Sequence, residues 1–283
     1  MIIQCMDLRK SYADNEVLKG ISFEIEKGNI FGLLGPSGAG KTTLIKILTG
    51  QLAYESGSVT VMGKEPFRLS GKEKKNFGIM MDSFGLYERF TCGENLAVFA
   101  DIYSVPHSRI KEVLREVGLE DAYKRPASDL SKGMRARLQL ARAFMHSPKI
   151  IFMDEPTSGL DPQSMKAIHR MILDKKEEGC TVFLTTHNME EAEKLCDKII
   201  LLNDGKVVEE GKPEEICRRY DHHRRIKIHL ADGEDMEFER DEKYAEKIFE
   251  LLKLGMVETI HSTEPTLESV FLELTGRELE EER

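Results

Sequence analysis

A nine-residue segment near the amino terminus, Gly-Pro-Ser-Gly-Ala-Gly-Lys-Thr-Thr at 35–43, constrains the fold of this chain more than any other feature. It follows the apolar run 30–34 and matches the pattern G-x-x-x-x-G-K-[ST] between a strand and a helix, the context of a phosphate-binding loop. Glycines allow backbone N–H groups to turn toward an anion, and the helix that follows adds the positive end of its dipole. We predict a nucleoside triphosphate site. The alternative, an ordinary glycine-rich turn, does not require the Lys-Thr pair.

Every residue of this loop is a candidate nucleotide contact. Lys41 is expected to bridge the β- and γ-phosphates, and the hydroxyl of Thr42 is expected to ligate Mg²⁺. The candidate set is Gly35, Pro36, Ser37, Gly38, Ala39, Gly40, Lys41, Thr42 and Thr43.

Length and composition indicate a globular protein. The chain of 283 residues is long enough for one large domain and one small domain. Its hydrophobic content of 40% and charged content of 32% are ordinary for a soluble protein. No apolar run approaches the ~20 residues of a membrane span, and the amino terminus lacks the basic region of a signal peptide. The five scattered cysteines are expected to be reduced and mostly buried, as in a cytosolic protein.

Charge is distributed unevenly along the chain. Residues 220–283 contain 9 basic and 18 acidic side chains, which accounts for the whole formal charge of −9. Because phosphates bind to basic surfaces, this acidic segment argues against nucleic acid as a partner. The segment also carries enough apolar residues for a core of its own, so we predict a second domain at 220–283. Its expected core residues are Ile226, Ile228, Phe238, Ile248, Leu251, Leu252, Val257, Ile260, Leu267, Val270 and Phe271.

The alternation of apolar strands and amphipathic helices predicts an α/β fold with a largely parallel sheet. The predicted strands are 2–8, 21–26, 30–34, 57–62, 77–81, 149–154, 181–185 and 198–202, with Tyr12 in a loop between the first two. The predicted helices are 41–48, 91–103, 108–117 and 131–146, and Asp161 with Pro162 begins another. Beyond residue 225 we expect a hairpin, a helix, a strand and a helix, which together make a small α+β domain.

Three further polar residues follow predicted strands of the sheet. Asp154 ends a buried strand, where its carboxylate can reach Mg²⁺, and Glu155 comes next, placed to polarise a water for attack on the γ-phosphorus. His187 follows the strand 181–185, where an imidazole can hydrogen-bond the γ-phosphate. Each has an ordinary alternative: the Asp-Glu pair can be a strand end turning into solvent, and His187 can be a loop histidine.

Taken in order with three more motifs, these residues resemble the ATP-binding subunits of ABC transporters. The sequence Leu-Ser-Lys-Gly-Met at 130–134 resembles the family signature LSGGQ. Residues 150–155 resemble the Walker B strand with its catalytic glutamate, and Ser-Gly-Leu-Asp at 158–161 resembles the D-loop. His187 resembles the switch histidine, and Tyr12 resembles the aromatic residue that stacks on adenine.

The resemblance covers about residues 1–215. It implies a P-loop NTPase fold of the ABC ATPase type, with an antiparallel β subdomain and a helical subdomain at about 84–146, in a domain of residues 1–219. It implies ATP and Mg²⁺ as cofactors, with Glu155 and His187 as catalytic residues.

The resemblance also implies a head-to-tail dimer. Ser131 and the N–H of Gly133, at the start of a helix, would bind the γ-phosphate of the nucleotide held by a second ATP-binding subunit. Asp161 would communicate between the two sites. The second subunit would be either identical, giving a homodimer, or different, giving a heterodimer.

Two positions depart from the family pattern. Asp82 stands where the family usually has glutamine. Its carboxylate can still ligate Mg²⁺, in which case Asp82→Ala should weaken Mg²⁺-dependent turnover more than ATP binding; the alternative is that Asp82 caps the next turn. Lys132 replaces the first glycine of the signature, and its ammonium group can pair with a phosphate or a neighbouring acid.

Two segments suggest partners. By resemblance, the segment from Phe84 to Phe90 receives a short helix of an integral membrane permease, and its three aromatic residues and leucine suit a docking groove. Packing on the protein's own core is the alternative. The segment 264–276 resembles the end of ATP-binding subunits of drug-, antibiotic- and sodium-exporting systems. We interpret the acidic surface of this tail as a solvated face, with an electrostatic regulator as the alternative.

The sequence therefore predicts an ATPase at the cytoplasmic face of the cell membrane, where it powers a separate permease that exports a drug, antibiotic, peptide or ion. A soluble ABC-type ATPase that is not coupled to transport is the alternative. A regulatory nucleotide binder without hydrolysis is disfavoured, because Glu155 and His187 are both present.

Overall fold

The computed structural model describes residues 1–81, 85–221, 225–239 and 241–276. They form two compact units, and the second begins at Pro213. The sequence had suggested a division at residue 220. The difference is one short helix, Pro213–Arg219, which belongs to the second unit.

The first unit is built on two sheets. Its strands in the described residues are β1 (Ile3–Tyr12), β2 (Asn15–Ile25), β3 (Ile30–Leu34), β4 (Ser56–Val61), β5 (Phe77–Met80), β6 (Ile150–Asp154), β7 (Thr181–Thr186), β8 (Lys198–Asn203) and β9 (Lys206–Gly211). The larger sheet has the order β5-β6-β7-β3-β8-β9, with every pair parallel except β8 and β9. The smaller sheet is antiparallel, with the order β2-β1-β4. The predicted largely parallel α/β fold is confirmed.

The strands at the centre of the larger sheet are mostly apolar, with Asp154 at the end of β6 and threonines in β7 as the polar exceptions. Every residue of β3, β6 and β7 is buried. Strands covered on both faces need such continuous apolar runs, because neither face meets water. The rings of Phe31 and Phe183 lie 5.7 Å apart and those of Phe152 and Phe183 lie 5.9 Å apart, so aromatic packing joins all three strands. These strands form the rigid support of the site described below.

The expected loop around Tyr12 is wrong. Strand β1 continues to Tyr12, which pairs with Asn15 across a tight turn, and Ala13 in that turn has φ of +50°. The residues at the end of this hairpin are mostly polar, so they lack the alternation that reveals a half-buried strand. Pairing with the neighbouring strand extends β1 where the local sequence gives no signal.

Seven helices in the described residues complete the first unit: α1 (Lys41–Leu48), α2 (Gly71–Lys74), α3 (Cys92–Tyr103), α4 (Ser108–Glu116), α5 (Lys132–Phe144), α6 (Pro162–Glu177) and α7 (Met189–Leu195). The predicted capping box is present: Thr91 Oγ1 accepts from the Glu94 N–H, and the Glu94 carboxylate accepts from the Thr91 N–H. Helices α3, α4 and α5 share a hydrophobic core of their own, which includes Leu96, Val113 and Leu138. They form the expected helical subdomain.

The second unit has a three-stranded antiparallel sheet. Its described elements are α8 (Pro213–Arg219), β10 (Arg225–Leu230), β11 (Asp235–Glu239), α9 (Glu242–Lys253), β12 (Val257–Thr263) and α10 (Leu267–Thr275), with the strand order β11-β10-β12. Most of its predicted core residues are buried or half-buried, but Leu252 and Ile260 are exposed, so that expectation is wrong for both. Helix α9 turns Tyr244, Ile248 and Leu251 toward the core. No helix in the described parts of the chain is both long enough and apolar enough to cross a bilayer.

Candidate nucleotide-binding and hydrolysis site

A cleft of about 300 Å³ lies where β3, β6 and β7 end. These strands are adjacent and parallel, so their carboxyl ends meet at one edge of the sheet, the usual ligand position in open α/β folds. The segments that follow them supply most of the lining. The lining residues are Val17, Ser37, Gly38, Gly40, Lys41, Thr42, Thr43, Asp154, Glu155, Ser158 and His187.

The loop at 35–43 joins β3 to α1, as predicted. Two of its glycines are required by geometry. A Cβ atom on Gly35 would lie 2.2 Å from the carbonyl oxygen of Leu202. Gly40, the residue before α1, has φ of +106°, and its Cβ would lie 2.8 Å from the Leu18 side chain. A larger residue at either position would displace the loop that is expected to contact phosphates.

Lys41 is held at the bottom of the cleft. Its Nζ donates to the carbonyl oxygen of Gly35 at 2.6 Å and to that of Pro36 at 3.4 Å. The same atom lies 3.1 Å from Glu155 Oε1. Lys41 and Glu155 therefore form an ion pair within the cleft.

Asp154 joins three elements of the site through its carboxylate. Oδ2 accepts from Thr42 Oγ1 at 2.7 Å, and Oδ1 accepts from Thr185 Oγ1 at 2.5 Å. The carboxylate thus connects the start of α1 with the ends of β6 and β7. A hydroxyl and a carboxylate at hydrogen-bond distance are hard oxygen donors, which is the ligand type that Mg²⁺ prefers.

Glu155 and His187 form a pair, one residue beyond β6 and β7 respectively. Glu155 Oε2 lies 2.8 Å from His187 Nδ1 and also accepts from the His187 N–H at 3.3 Å. Glu155 has φ of +48°, and its own N–H donates to the Thr185 carbonyl oxygen at 3.1 Å. This uncommon backbone conformation directs the carboxylate into the cleft.

The charges around Glu155 keep its carboxylate ionised. Burial by itself raises the pKa of Glu155, but the hydrogen bond with His187 and the positive charge of Lys41 outweigh it, so the pKa of Glu155 lies below its usual range. An ionised carboxylate at neutral pH can accept a proton from water, which a general base must do.

A second group of predicted residues lies together elsewhere, at the adjacent starts of α5 and α6. Ser131 is the N-cap of α5 and accepts from the Met134 N–H. Asp161 is the N-cap of α6, as predicted, and its Oδ2 accepts from Ser164 Oγ at 2.6 Å. Gly133 packs against α6 so closely that a Cβ would lie 2.2 Å from Ser164 Oγ. Two helix N-termini thus form one surface.

Most of the predicted residues lie in one of these two places. Ser131, Gly133 and Asp161 do not line the cleft, and their role toward another subunit's nucleotide stays a prediction. Tyr12 also lies outside the cleft lining; its side chain is 47% exposed, and the Lys10 ammonium is 5.4 Å from its ring centre. Asp82 and Phe84 lie outside the described residues.

Sequence reasoning missed three residues of the site. Val17 and Ser158 line the cleft, and Thr185 holds Asp154. Val17 lies in β2, where an apolar residue is usual and gives no sign of a ligand. Thr185 lies in the mostly apolar strand β7, which is hydrogen-bonded to β6. Only the pairing of these strands, in which Asp154 and Thr185 are partners, brings the Thr185 hydroxyl to the Asp154 carboxylate.

Known proteins resemble this chain along most of its length. The model of the ABC transporter family matches residues 18–158. A fluoroquinolones export ATP-binding protein of Mycobacterium tuberculosis is 38% identical, over 98% of this chain and 93% of the relative. The Nod factor export ATP-binding protein I of Rhizobium etli is 34% identical, over 98% of this chain and 94% of the relative.

A solved structure described as the ATP binding subunit of an ABC transporter superimposes with a TM-score of 0.70 at 28% identity. It covers 78% of this chain and 93% of its own. The relatives and the fold thus agree with the motifs. The chain belongs to the ABC transporter family, as one of its ATP-binding subunits.

Proposed function

We propose that this ATP-hydrolysing subunit energises export through a separate membrane permease, with the cleft at the ends of β3, β6 and β7 as its own half of an ATP site. The observation that carries the proposal is the arrangement of Glu155 between Lys41 and His187, next to the phosphate loop. This arrangement brings together the phosphate loop, the Lys41 cation for the terminal phosphate and the ionised Glu155 carboxylate as a base.

Binding of ATP uses the loop Gly35 to Thr43. Its N–H groups and the start of α1 receive the phosphates, and Lys41 bridges the β- and γ-phosphates. Lys41 now pairs with Glu155, so a γ-phosphate that binds Lys41 competes with that carboxylate. ATP binding thereby releases Glu155 from the ion pair and frees it to contact water. Tyr12 is proposed to stack on the adenine.

Thr42 and Asp154 are suited to hold Mg²⁺, and Asp82 is proposed as a further ligand. When bound, Mg²⁺ neutralises negative charge on the phosphate oxygens. Thr185 keeps the Asp154 carboxylate oriented toward Thr42, because it occupies the other carboxylate oxygen.

Hydrolysis depends on Glu155. Its carboxylate orients a water and accepts its proton as the water oxygen attacks the γ-phosphorus; the bond to the β-phosphate oxygen breaks, leaving ADP and phosphate. His187 holds the carboxylate through Nδ1, and its imidazole is proposed to contact the γ-phosphate.

The other half of each ATP site comes from a second ATP-binding subunit. Ser131, Gly133 and Asp161 lie together but outside the cleft, so they are available to a nucleotide held by the partner. One chain carries both halves, and a homodimer therefore suffices, although a heterodimer uses the same geometry.

The permease is proposed to dock near the segment from Phe84 to Phe90, in which Tyr87 and Phe90 are exposed and in contact at 5.2 Å between ring centres. The subunit would then lie at the cytoplasmic face of the membrane. The named relatives are ATP-binding proteins of fluoroquinolones export and of Nod factor export, and a drug, antibiotic, peptide or ion is the proposed type of cargo. Copurification with a membrane protein tests this coupling. Turnover without any such partner would favour the soluble ATPase.

The experiment for the site is Glu155→Gln, which keeps the shape and removes the base. We expect ATP hydrolysis to fall by roughly 10²–10⁴-fold while ATP still binds, because the phosphate loop is intact. Glu190→Gln is the matched control, since Glu190 is an exposed glutamate outside the cleft. A Glu155→Gln protein with unchanged turnover would refute the assigned role.

A further inference from the structure

A buried carboxyl group lies outside the cleft, on α7. Glu191 is only 1% exposed. Its Oε1 accepts from Thr157 Oγ1 at 2.7 Å and lies 3.0 Å from His169 Nε2. Thr157 is itself buried, and His169 is largely covered. None of these three residues lines the cleft.

Burial of a carboxyl group is costly unless hydrogen bonds compensate for the lost water. In Glu191 both hydrogen bonds fall on Oε1, and Oε2 has no partner within the described residues. A leucine at this position would fill the same space without that cost. The polar network therefore calls for an explanation other than filling the core.

The network joins the segments that follow Glu155 and His187 to helix α6. Thr157 is two residues after Glu155, and Glu191 is four residues after His187. His169 lies on α6, the helix that Asp161 caps. Asn188 caps α7 by accepting from the Glu191 N–H at 3.0 Å, so the backbone between His187 and Glu191 is held as well.

The Glu155–His187 contact itself depends on these segments. The two side chains meet at 2.8 Å, although they follow different strands. The segment after Glu155 turns sharply, with the Ser158 N–H donating to the Glu155 carbonyl oxygen and the Leu160 N–H to that of Thr157. A displacement of this turn relative to α7 separates the pair.

We propose that Glu191 is a positioning residue for ATP hydrolysis: through Thr157 and His169 it fixes the turn after β6 and α6 against α7, and thereby keeps Glu155 aligned with His187. The inference rests on the roles proposed above for Glu155 and His187. It adds residues that lie outside the cleft lining, and it predicts an effect on the chemical step rather than on ATP binding.

The test is Thr157→Val, which keeps the branched shape and removes the hydroxyl that donates to Glu191. We expect kcat for ATP hydrolysis to fall by roughly 10- to 100-fold, because misplacing a catalytic group by about 1 Å has effects of this size. The Kd for ATP should change by less than about twofold, since the phosphate loop is untouched. Thr157→Ser, which retains the hydroxyl, should recover most of the lost turnover.

Two further measurements separate positioning from a structural role. In a crystal structure of Thr157→Val, the distance from Glu155 Oε2 to His187 Nδ1 should exceed the present 2.8 Å. In a His187→Ala background, Thr157→Val should cause less additional loss than it causes alone, because the contact that it aligns is already absent. Three results would overturn the proposal: losses of kcat that multiply fully in the double variant, a loss of ATP affinity as large as the loss of kcat in Thr157→Val, or an unchanged distance between Glu155 Oε2 and His187 Nδ1.

Glu155→Gln is measured in parallel. If Glu155→Gln abolishes turnover while Thr157→Val does not affect it, the inference about Glu191 is wrong and the proposed site stands. If Glu155→Gln leaves turnover intact, the proposed site itself is wrong.

Discussion

The contact between α5 and α6 can be tested by adding a single methyl group, in the substitution Gly133→Ala. An alanine Cβ at this position would lie 2.2 Å from Ser164 Oγ and 2.8 Å from Ser164 Cβ. Rotation of the serine hydroxyl relieves only the first of these clashes, because the Cβ atom is fixed to the backbone of α6. The two helix starts must therefore move apart, and the hydrogen bond from Ser164 to Asp161 must adjust.

The size of the effect follows from three terms. Forcing a methyl group into a packed contact costs about 1–3 kcal/mol. Loss of the Ser164–Asp161 hydrogen bond adds ~1 kcal/mol. The higher helix propensity of alanine than of glycine offsets ~1 kcal/mol of this loss in the free energy of unfolding. We expect a net loss of about 2 kcal/mol in the free energy of unfolding, or ~4–8 °C in the melting temperature for a unit of this size.

The assay is urea unfolding and calorimetry of Gly133→Ala in two backgrounds. Ser164→Gly removes both clashing atoms and the hydrogen bond to Asp161, so only the helix-propensity term remains and the alanine should stabilise that background by ~1 kcal/mol. The interaction energy in the double-mutant cycle should therefore be about 3 kcal/mol. Gly71→Ala is the control, because a Cβ there meets open space; its effect should stay within about 0.5 kcal/mol. Equal destabilisation by Gly133→Ala in both backgrounds would refute the steric explanation.

Three further predictions concern other contacts. Burial lowers the pKa of His146, so at pH values between the folded and unfolded pKa the unfolded chain binds more protons than the folded protein. The free energy of unfolding should therefore fall as pH decreases from about 7.5 to about 5.5. In urea titrations at several pH values, His146→Gln should make that decrease smaller. Thr42→Val removes the hydroxyl that donates to Asp154, and it should raise the Mg²⁺ concentration needed for ATP turnover more than it weakens nucleotide binding without Mg²⁺. Thr42→Ser keeps the hydroxyl and should leave the Mg²⁺ requirement unchanged. Buried Arg142 donates to two backbone carbonyls, so Arg142→Lys should lower the free energy of unfolding by about 1–3 kcal/mol; an unchanged denaturation midpoint would contradict this.

Elements with strong local signals were predictable. The continuous apolar runs identified β3, β6 and β7, and the capping residues Thr91 and Asp161 marked the starts of α3 and α6. In these cases the side chains nearest in sequence determine the backbone, through burial of apolar surface or hydrogen bonds to free N–H groups.

Features that depend on pairing with, or coverage by, another element were not predictable. The hairpin end at Tyr12 becomes strand because it pairs with the neighbouring strand. Leu252 remains exposed because the core of the second unit contacts Tyr244, Ile248 and Leu251 of α9 instead. Ile260, in β12, is also exposed. Hydrophobic periodicity in the sequence identifies the apolar positions of an element, but it does not predict how far neighbouring elements will bury each side chain.

The chemistry of this protein was predictable from its motifs. The phosphate loop predicts a nucleotide site, and the order of the Asp154–Glu155 pair, His187 and the other motifs predicts an ATPase through their resemblance to ATP-binding subunits of ABC transporters. How these residues contact one another follows from the tertiary packing. It pairs Glu155 with Lys41 and His187, places Gly133 against Ser164, and buries Glu191 under Thr157 and His169. These contacts join residues from different strands and helices, and their distances depend on how the sheet and helices pack, which no local pattern records.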